Sequence, residues 1–230
     1  MFLAARSRRG RRRRRPEHLR RVHRSPSRRA GLHVDVFTRR DREDQLDVVD
    51  WLPGIRVVHV RAGPARFVRK ESLLPFMPEL ARAVVDFART KSAQGTPYAV
   101  CHAHFFMSGL VAQRLKRELG IPYVVTFHAL GRVRLMHQPH DEFPPERCAL
   151  EQAVIDTADA IVAECPQDER DLQRHYRTPA SRIRMIPCGF DPGELAPVDR
   201  VEARERLGFR PAGRLRCSSA AWFRARASKR

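Results

Sequence analysis

From Gly31 to Phe209 the chain alternates short apolar runs with longer amphipathic ones, and this alternation limits it to one kind of architecture. His33 to Thr38 reads as a strand, and Ile55 to Val60 as a second, introduced by the turn pair Pro53-Gly54. Tyr98 to Cys101, Pro122 to Phe127, Ala160 to Ala163 and Ile183 to Ile186 read as four more. Between them, Phe76, Leu80, Val84 and Phe87 recur at helical spacing within Leu74 to Ala88. Further helices are expected over Ser108 to Leu119, stopping at Gly120, and over Pro145 to Thr157, Gln167 to His175 and Arg200 to Leu207. Strands alternating with helices call for parallel pairing through right-handed crossovers, hence an α/β open sheet. Ligands of such sheets bind beyond the carboxyl ends of the strands, so the residues just after each strand are the ones to read closely.

The formal net charge of +19 suggests nucleic acid or an anionic surface as partner. Its distribution removes that inference for most of the chain. Residues 1–30 hold 13 Arg against one Glu, and residues 210–230 hold six Arg and one Lys with no acid. The segment between them is balanced. Domain organisation therefore reads as a basic tail over 1–30, a globular domain over 31–209 and a second basic tail over 210–230. The tails would bind nucleic acid without sequence preference, through charge alone.

The five cysteines are scattered without a Cys-x-x-Cys pair, which suits reduced, structural thiols and a cytoplasmic location. No apolar stretch approaches the ~20 residues of a membrane span. The basic start has no apolar run behind it, so it is not read as a secretory signal.

Three strand ends carry small and polar residues: His102-Ala-His-Phe-Phe-Met-Ser-Gly109, Thr126-Phe-His-Ala-Leu-Gly131 and Ile186-Pro-Cys-Gly-Phe-Asp191. Together with Arg147-x-x-x-Glu151 and Ala158-Asp-x-Ile161, in this order, they resemble the group-1 (family four) glycosyltransferases, in particular the sucrose-phosphate synthases and inositol-phosphate glycosyltransferases. The resemblance implies a Rossmann-like open parallel sheet, the N-terminal, acceptor-side domain of a GT-B fold. It implies a hexosyl-type, retaining transfer from a nucleotide diphosphate sugar, the donor substrate, to a hydroxyl of a small-molecule acceptor. No covalently bound cofactor is implied.

By the same resemblance His128 faces the donor sugar across the cleft, where a neutral imidazole can hydrogen-bond a hydroxyl. Thr126 and His104 flank it. Lys70 and Arg147 match positions that contact a phosphorylated acceptor, as suits an ammonium and a bidentate guanidinium. The residue chemistry alone leaves Arg147 an alternative, an i,i+4 ion pair with Glu151. Ser108 and Gly109 are expected to open a helix whose amides meet an anion, or simply to cap it. His102 and His104 put both rings on one face of an extended segment, but no carboxylate or thiol set accompanies them, and no metal site is expected. No catalytic residue is assigned in this half.

A member of this family is expected to begin with a hydrophobic strand and a loop of the form Gly-Gly-x-x-x-Gly-Gly-Gln-Asn, whose backbone can approach phosphate closely. Here that place holds Arg11 to Arg20. Read one base later, codons for Arg15 to Arg20 permit Gly-Gln-Asn-Ile-Tyr-Val. Read from the third base of Arg216, the codons through Arg224 permit Val-Gln-Leu-Gly-Arg-Leu-Val-Pro. Both tails thus read as out-of-frame segments, expected to be disordered and to leave the centre of the sheet incomplete. The donor-binding domain is expected to be absent from this truncated chain, leaving it inactive alone. Two other functions stay open: a nonspecific nucleic-acid-binding basic protein, and a pseudoenzyme that binds a sugar phosphate without turnover.

Overall fold

A computed structural model describes residues 2–7, 31–138, 142–189, 196–210 and 212–213. The chain divides into two units, Met1–Pro187 and Cys188–Arg230.

The first unit is built on one sheet. Its strands are β1 (Phe2–Ser7), β2 (Leu32–Arg39), β3 (Val48–Leu52), β4 (Ile55–Val60), β5 (Val100–His104), β6 (Tyr123–Thr126), β7 (Ala160–Ala163) and β8 (Ile183–Met185). Their order in space is β3-β4-β2-β1-β5-β6-β7-β8. β2 pairs parallel with β4, and β5 through β8 pair parallel in sequence. The helices are α1 (Met77–Ala93), α2 (Phe105–Leu119), α3 (Gly131–His137), α4 (Arg147–Thr157) and α5 (Pro166–Tyr176). The expected α/β sheet is therefore observed, with each expected strand in place.

β1 is the departure. It pairs antiparallel with β2 and with β5, so Phe2 is in register with both Phe37 and Ala103. Because β1 opposes both neighbours, β2 and β5 run in the same direction, and the sheet keeps one carboxyl edge on either side of a reversed central strand. The expectations of a disordered tail and an incomplete sheet centre are corrected for Phe2–Ser7. β2 and β5 each present a row of N–H and C=O groups to the gap, and buried backbone groups must find partners. A proline-free segment can satisfy such a gap in either direction. Residues 8–30 lie outside the described residues.

β3 is also absent from the sequence reading. It is an edge strand, antiparallel to β4 through the turn at Gly54, where φ is +84°. Its residues Val48-Val-Asp-Trp-Leu52 do not alternate cleanly, and Trp51 is exposed, so no two-residue period marks it.

The core comes from the apolar positions of β5, β6 and β7 and the facing helices. Val84 and Val85 of α1, Phe106 and Leu115 of α2, and Val154 and Ile155 of α4 are fully buried. α2 and α4 approach so closely that a Cβ on Gly109 would lie 2.5 Å from Val154 Cγ1. Gly109 thus serves packing. It is the fifth residue of α2, which begins at Phe105 rather than Ser108. The unpaired amides of a helix lie in its first four residues, so the amide of Gly109 is not at the opening where an anion was expected.

β2 and β4 are tied by a buried carboxylate. Asp35 accepts from Arg56 Nε at 2.8 Å and Nη2 at 2.7 Å, and from the Tyr98 hydroxyl at 2.5 Å. In the second unit, α6 (Arg200–Arg206) is capped by Asp199, whose carboxylate accepts from the amides of Val201 and Glu202. The Ile186-Pro-Cys-Gly-Phe-Asp191 motif is described only as far as Gly189.

Candidate functional site

The site lies at the carboxyl edge of β5, β6 and β7. β5 extends to His104, so His102 and His104 are strand residues and not part of a following loop. Two residues apart, they share a face, with ring centroids 4.2 Å apart. His102 Nε2 lies 2.8 Å from Thr126 Oγ1 on β6. Thr126 is buried, so its hydroxyl serves this strand-to-strand bond.

His128 stands two residues past Thr126. Its Nε2 is 2.8 Å from His104 Nδ1, and its Nδ1 is 2.8 Å from a carboxylate oxygen of Glu164, the first residue past β7. Three strand ends therefore deliver one row, His104 to His128 to Glu164. Burial first, and then the neighbouring rings of His102 and His128, lower the pKa of His104 to about 4. Burial and His128 lower that of His102 as well, opposed by Glu164.

Both turns that launch the row are strained. Phe105 has φ +74° and His128 has φ +57°, left-handed values for side chains that disfavour them. Such residues cost about 1–3 kcal/mol each and persist where the surroundings over-determine them. Arg147 supplies that constraint. Its guanidinium carbon stands 5.1 Å from the centroid of Phe105 and 4.6 Å from that of Phe143, and Nη2 donates to the Ala129 carbonyl at 2.9 Å. Nε donates to Glu151 at 2.8 Å, with side chains 3% and 0% exposed. The other Glu151 oxygen accepts from the Gly131 amide at 2.8 Å and from the Tyr176 hydroxyl. Burial beside that carboxylate pushes the Tyr176 phenol up, keeping it a donor. Of the two readings of Arg147, the i,i+4 pair with Glu151 is the one formed. The guanidinium faces inward and holds the turns that carry His104 and His128.

Two cavities flank the row. One of about 190 Å³ is lined by His128, Ala129, Glu164, Asp168 and Asp171. The other, about 260 Å³, is lined by His104, Phe105, Ser108, Lys70, Thr38 and Arg39. Lys70 is half exposed, with Nζ 3.8 Å from Glu71 Oε1 and 5.7 Å from the Phe143 ring. Ser108 joins it on the cavity wall, within the first turn of α2. The structure so brings together His104, Lys70 and Ser108 on one side and His128 and Thr126 on the other, while Arg147 and Gly109 lie behind them.

Sequence reasoning missed Glu164. The signal was available: it follows β7 directly, at the same edge as the three strand ends that were read. It also missed α3, whose Arg132 amide donates to Tyr176 at 3.1 Å. Among the described residues no group of three or more His, Cys, Asp or Glu is arranged to hold a metal ion, and no helix is long and apolar enough to cross a membrane.

Comparison with known proteins places these features in context. The model of Glycosyltransferase Family 4 matches residues 17–194. The match starts before Gly31 and ends before Phe209. D-inositol 3-phosphate glycosyltransferase of Corynebacterium aurimucosum is 34% identical over 186 residues, which are 79% of this chain and 44% of that protein. The enzyme of the same name from Corynebacterium diphtheriae is 35% identical over 188 residues, 79% of this chain and 43% of that protein. A solved structure of sucrose-phosphate synthase from Thermosynechococcus elongatus superposes with a TM-score of 0.69 at 28% identity, over 84% of this chain and 46% of that one. The chain spans less than half the length of the curated relatives it matches.

Proposed function

Because the chain belongs to Glycosyltransferase Family 4, we propose that it is the acceptor-binding half of a retaining, nucleotide-sugar-dependent transferase, acting on a hydroxyl of a small phosphorylated polyol. The observation that carries this reading is the pair of cavities on either side of the His104–His128 contact. Lys70 offers a mobile ammonium to a phosphate at the rim of the larger cavity, and Ser108 a hydroxyl on its wall. His104 lines the same cavity with its imidazole. His128 and Thr126 border the smaller cavity, where a donor sugar would present its hydroxyls. Inositol phosphate is the acceptor class favoured by the names of the relatives.

Transfer with retention needs the leaving nucleotide diphosphate to be stabilised by preorganised positive groups. No such set is assigned among the described residues, so the chain alone is expected to bind acceptor without turnover, in the cytoplasm.

Calorimetric titration of the full chain with D-inositol 3-phosphate tests this. Saturable binding is expected, weakened about 10- to 100-fold by Lys70→Ala, the effect of losing a charge-assisted hydrogen bond of about 1.5–3 kcal/mol. Binding that ignores Lys70, or none at millimolar ligand, overturns the reading. Parallel titration with a uridine diphosphate sugar should show weaker binding.

A further inference from the structure

We propose that Glu164 is the positioning residue of the histidine row: it fixes which ring nitrogen of His128, and through it of His104, carries the proton. The argument needs only the three distances and the valence of the groups. Ionised Glu164 can only accept, so the His128 nitrogen 2.8 Å away, Nδ1, must be protonated. A neutral His128 then has a bare Nε2. That lone pair lies 2.8 Å from His104 Nδ1, which must therefore carry a proton and donate it. His104 is left with a bare Nε2, an atom that is buried and has no hydrogen-bond partner among the described residues. One carboxylate so sets both tautomers, and His104 turns an acceptor, not a donor, away from the row.

The row is itself held. The Glu164 amide donates to Asp168 Oδ2 at 3.1 Å, at the first turn of α5, which pins the backbone beneath the carboxylate. Among the described residues, the charged and titratable groups around His128 are His102 and His104 from β5, Glu164 past β7, and Asp168 and Asp171 of α5 lining the same cavity. Among the described residues only Glu164 is hydrogen-bonded to His128 Nδ1. Isolated imidazole favours the proton on Nε2, so without the carboxylate the order should reverse: His128 Nε2 would donate to His104 Nδ1, and His104 would present Nε2–H.

The consequence rests on the acceptor-site reading above. The bare Nε2 is buried, so only a hydroxyl that reaches it by displacing its cover can donate to it, and a carbonyl or phosphate oxygen cannot. The tautomer assignment itself is independent of any ligand.

Long-range nitrogen–proton correlation spectra of the full chain, labelled with 15N in its imidazoles, test the proposal at pH 7.5. Wild type should show both His104 and His128 protonated on Nδ1. Glu164→Ala should move His128, and with it His104, to the Nε2–H form. Glu164→Gln, whose amide oxygen still accepts, should restore the wild-type pattern. Nε2–H on His128 in wild type overturns the proposal, whatever the variants do. So does an unchanged pattern in Glu164→Ala with its melting transition intact. Should that variant not fold, Glu164→Leu and the wild-type spectrum decide. Loss of inositol phosphate binding with the tautomers as described would sink the function and leave this assignment standing.

Discussion

His104 Nδ1 and His128 Nε2 stand 2.8 Å apart with ring planes within 6° of each other, so the two imidazoles share a single proton between them. Burial first, and then the neighbouring His102 and His128 rings, disfavour a charge on His104, which is lowered to about 4. The folded-state value lies below the unfolded value of 6.5, so between the two the unfolded chain binds more protons. Stability contributed here is present above pH 6.5 and is lost as pH falls toward 4. Thermal melts over that window should show a falling midpoint, and His104→Gln should flatten the slope. An unchanged slope in that variant would place the acid sensitivity elsewhere.

The Arg147–Glu151 pair is buried and tied to Ala129, Gly131 and Tyr176. Removing one partner leaves an uncompensated buried charge, at about 3–5 kcal/mol. Glu151→Leu should therefore lower stability by that order in denaturant titrations. The double variant Arg147→Met/Glu151→Leu should recover much of the loss in stability. It should not recover inositol phosphate binding, because the turns that carry His104 and His128 lose their anchor.

Gly109→Ala separates packing from ligand binding. Alanine gains about 1 kcal/mol in helix propensity over glycine. Its Cβ, however, would stand 2.5 Å from Val154 Cγ1, a stiff and fully buried side chain. Overpacking of about 1–3 kcal/mol should outweigh the gain, lowering the melting midpoint by a few degrees. Inositol phosphate affinity in the folded fraction should stay within about twofold. A stabilised variant would mean that α2 and α4 can move apart.

The central position of β1 changes where the basic tail can be cut. Deleting residues 2–7 strips hydrogen bonds from both β2 and β5, and insoluble or strongly destabilised protein is expected. Replacing Arg8 to Arg29 with serine, keeping Phe2–Ser7, should preserve the melting midpoint. It should also abolish salt-sensitive DNA binding in a mobility-shift assay. If DNA binding survives, the basic tail is not its source.

We propose further that the arginine-rich segments are read out of frame. Sequencing the locus with its flanks should give Gly-Gln-Asn-Ile-Tyr-Val in the shifted frame at Arg15 to Arg20. A reversed central strand is in keeping with that account, since Phe2–Ser7 fills a place that the family's first strand would take. DNA without that motif in any frame ends the idea.

Local periodicity carried the rest of the fold. The two-residue and helical repeats placed six strands and five helices in order, because those patterns depend only on near neighbours. The strand-end rule singled out His104, Thr126 and His128 for the same reason: a residue's place at or just past the end of a strand is local. It passed over β3, an exposed edge without alternation, and β1, whose strand character comes from the gap between β2 and β5.

What the sequence by itself determined is the α/β class, the family and the carboxyl edge at which ligands meet the sheet. Only the tertiary structure decided the direction of β1, the inward turn of Arg147 and the partnership of Glu164 with His128. Each depends on groups far apart in the chain, 36 residues in the last case. Burial and hydrogen-bond valence select among such partners only once the strands are side by side. A guanidinium suited to phosphate is equally suited to a buried carboxylate, and residue type alone does not choose between them.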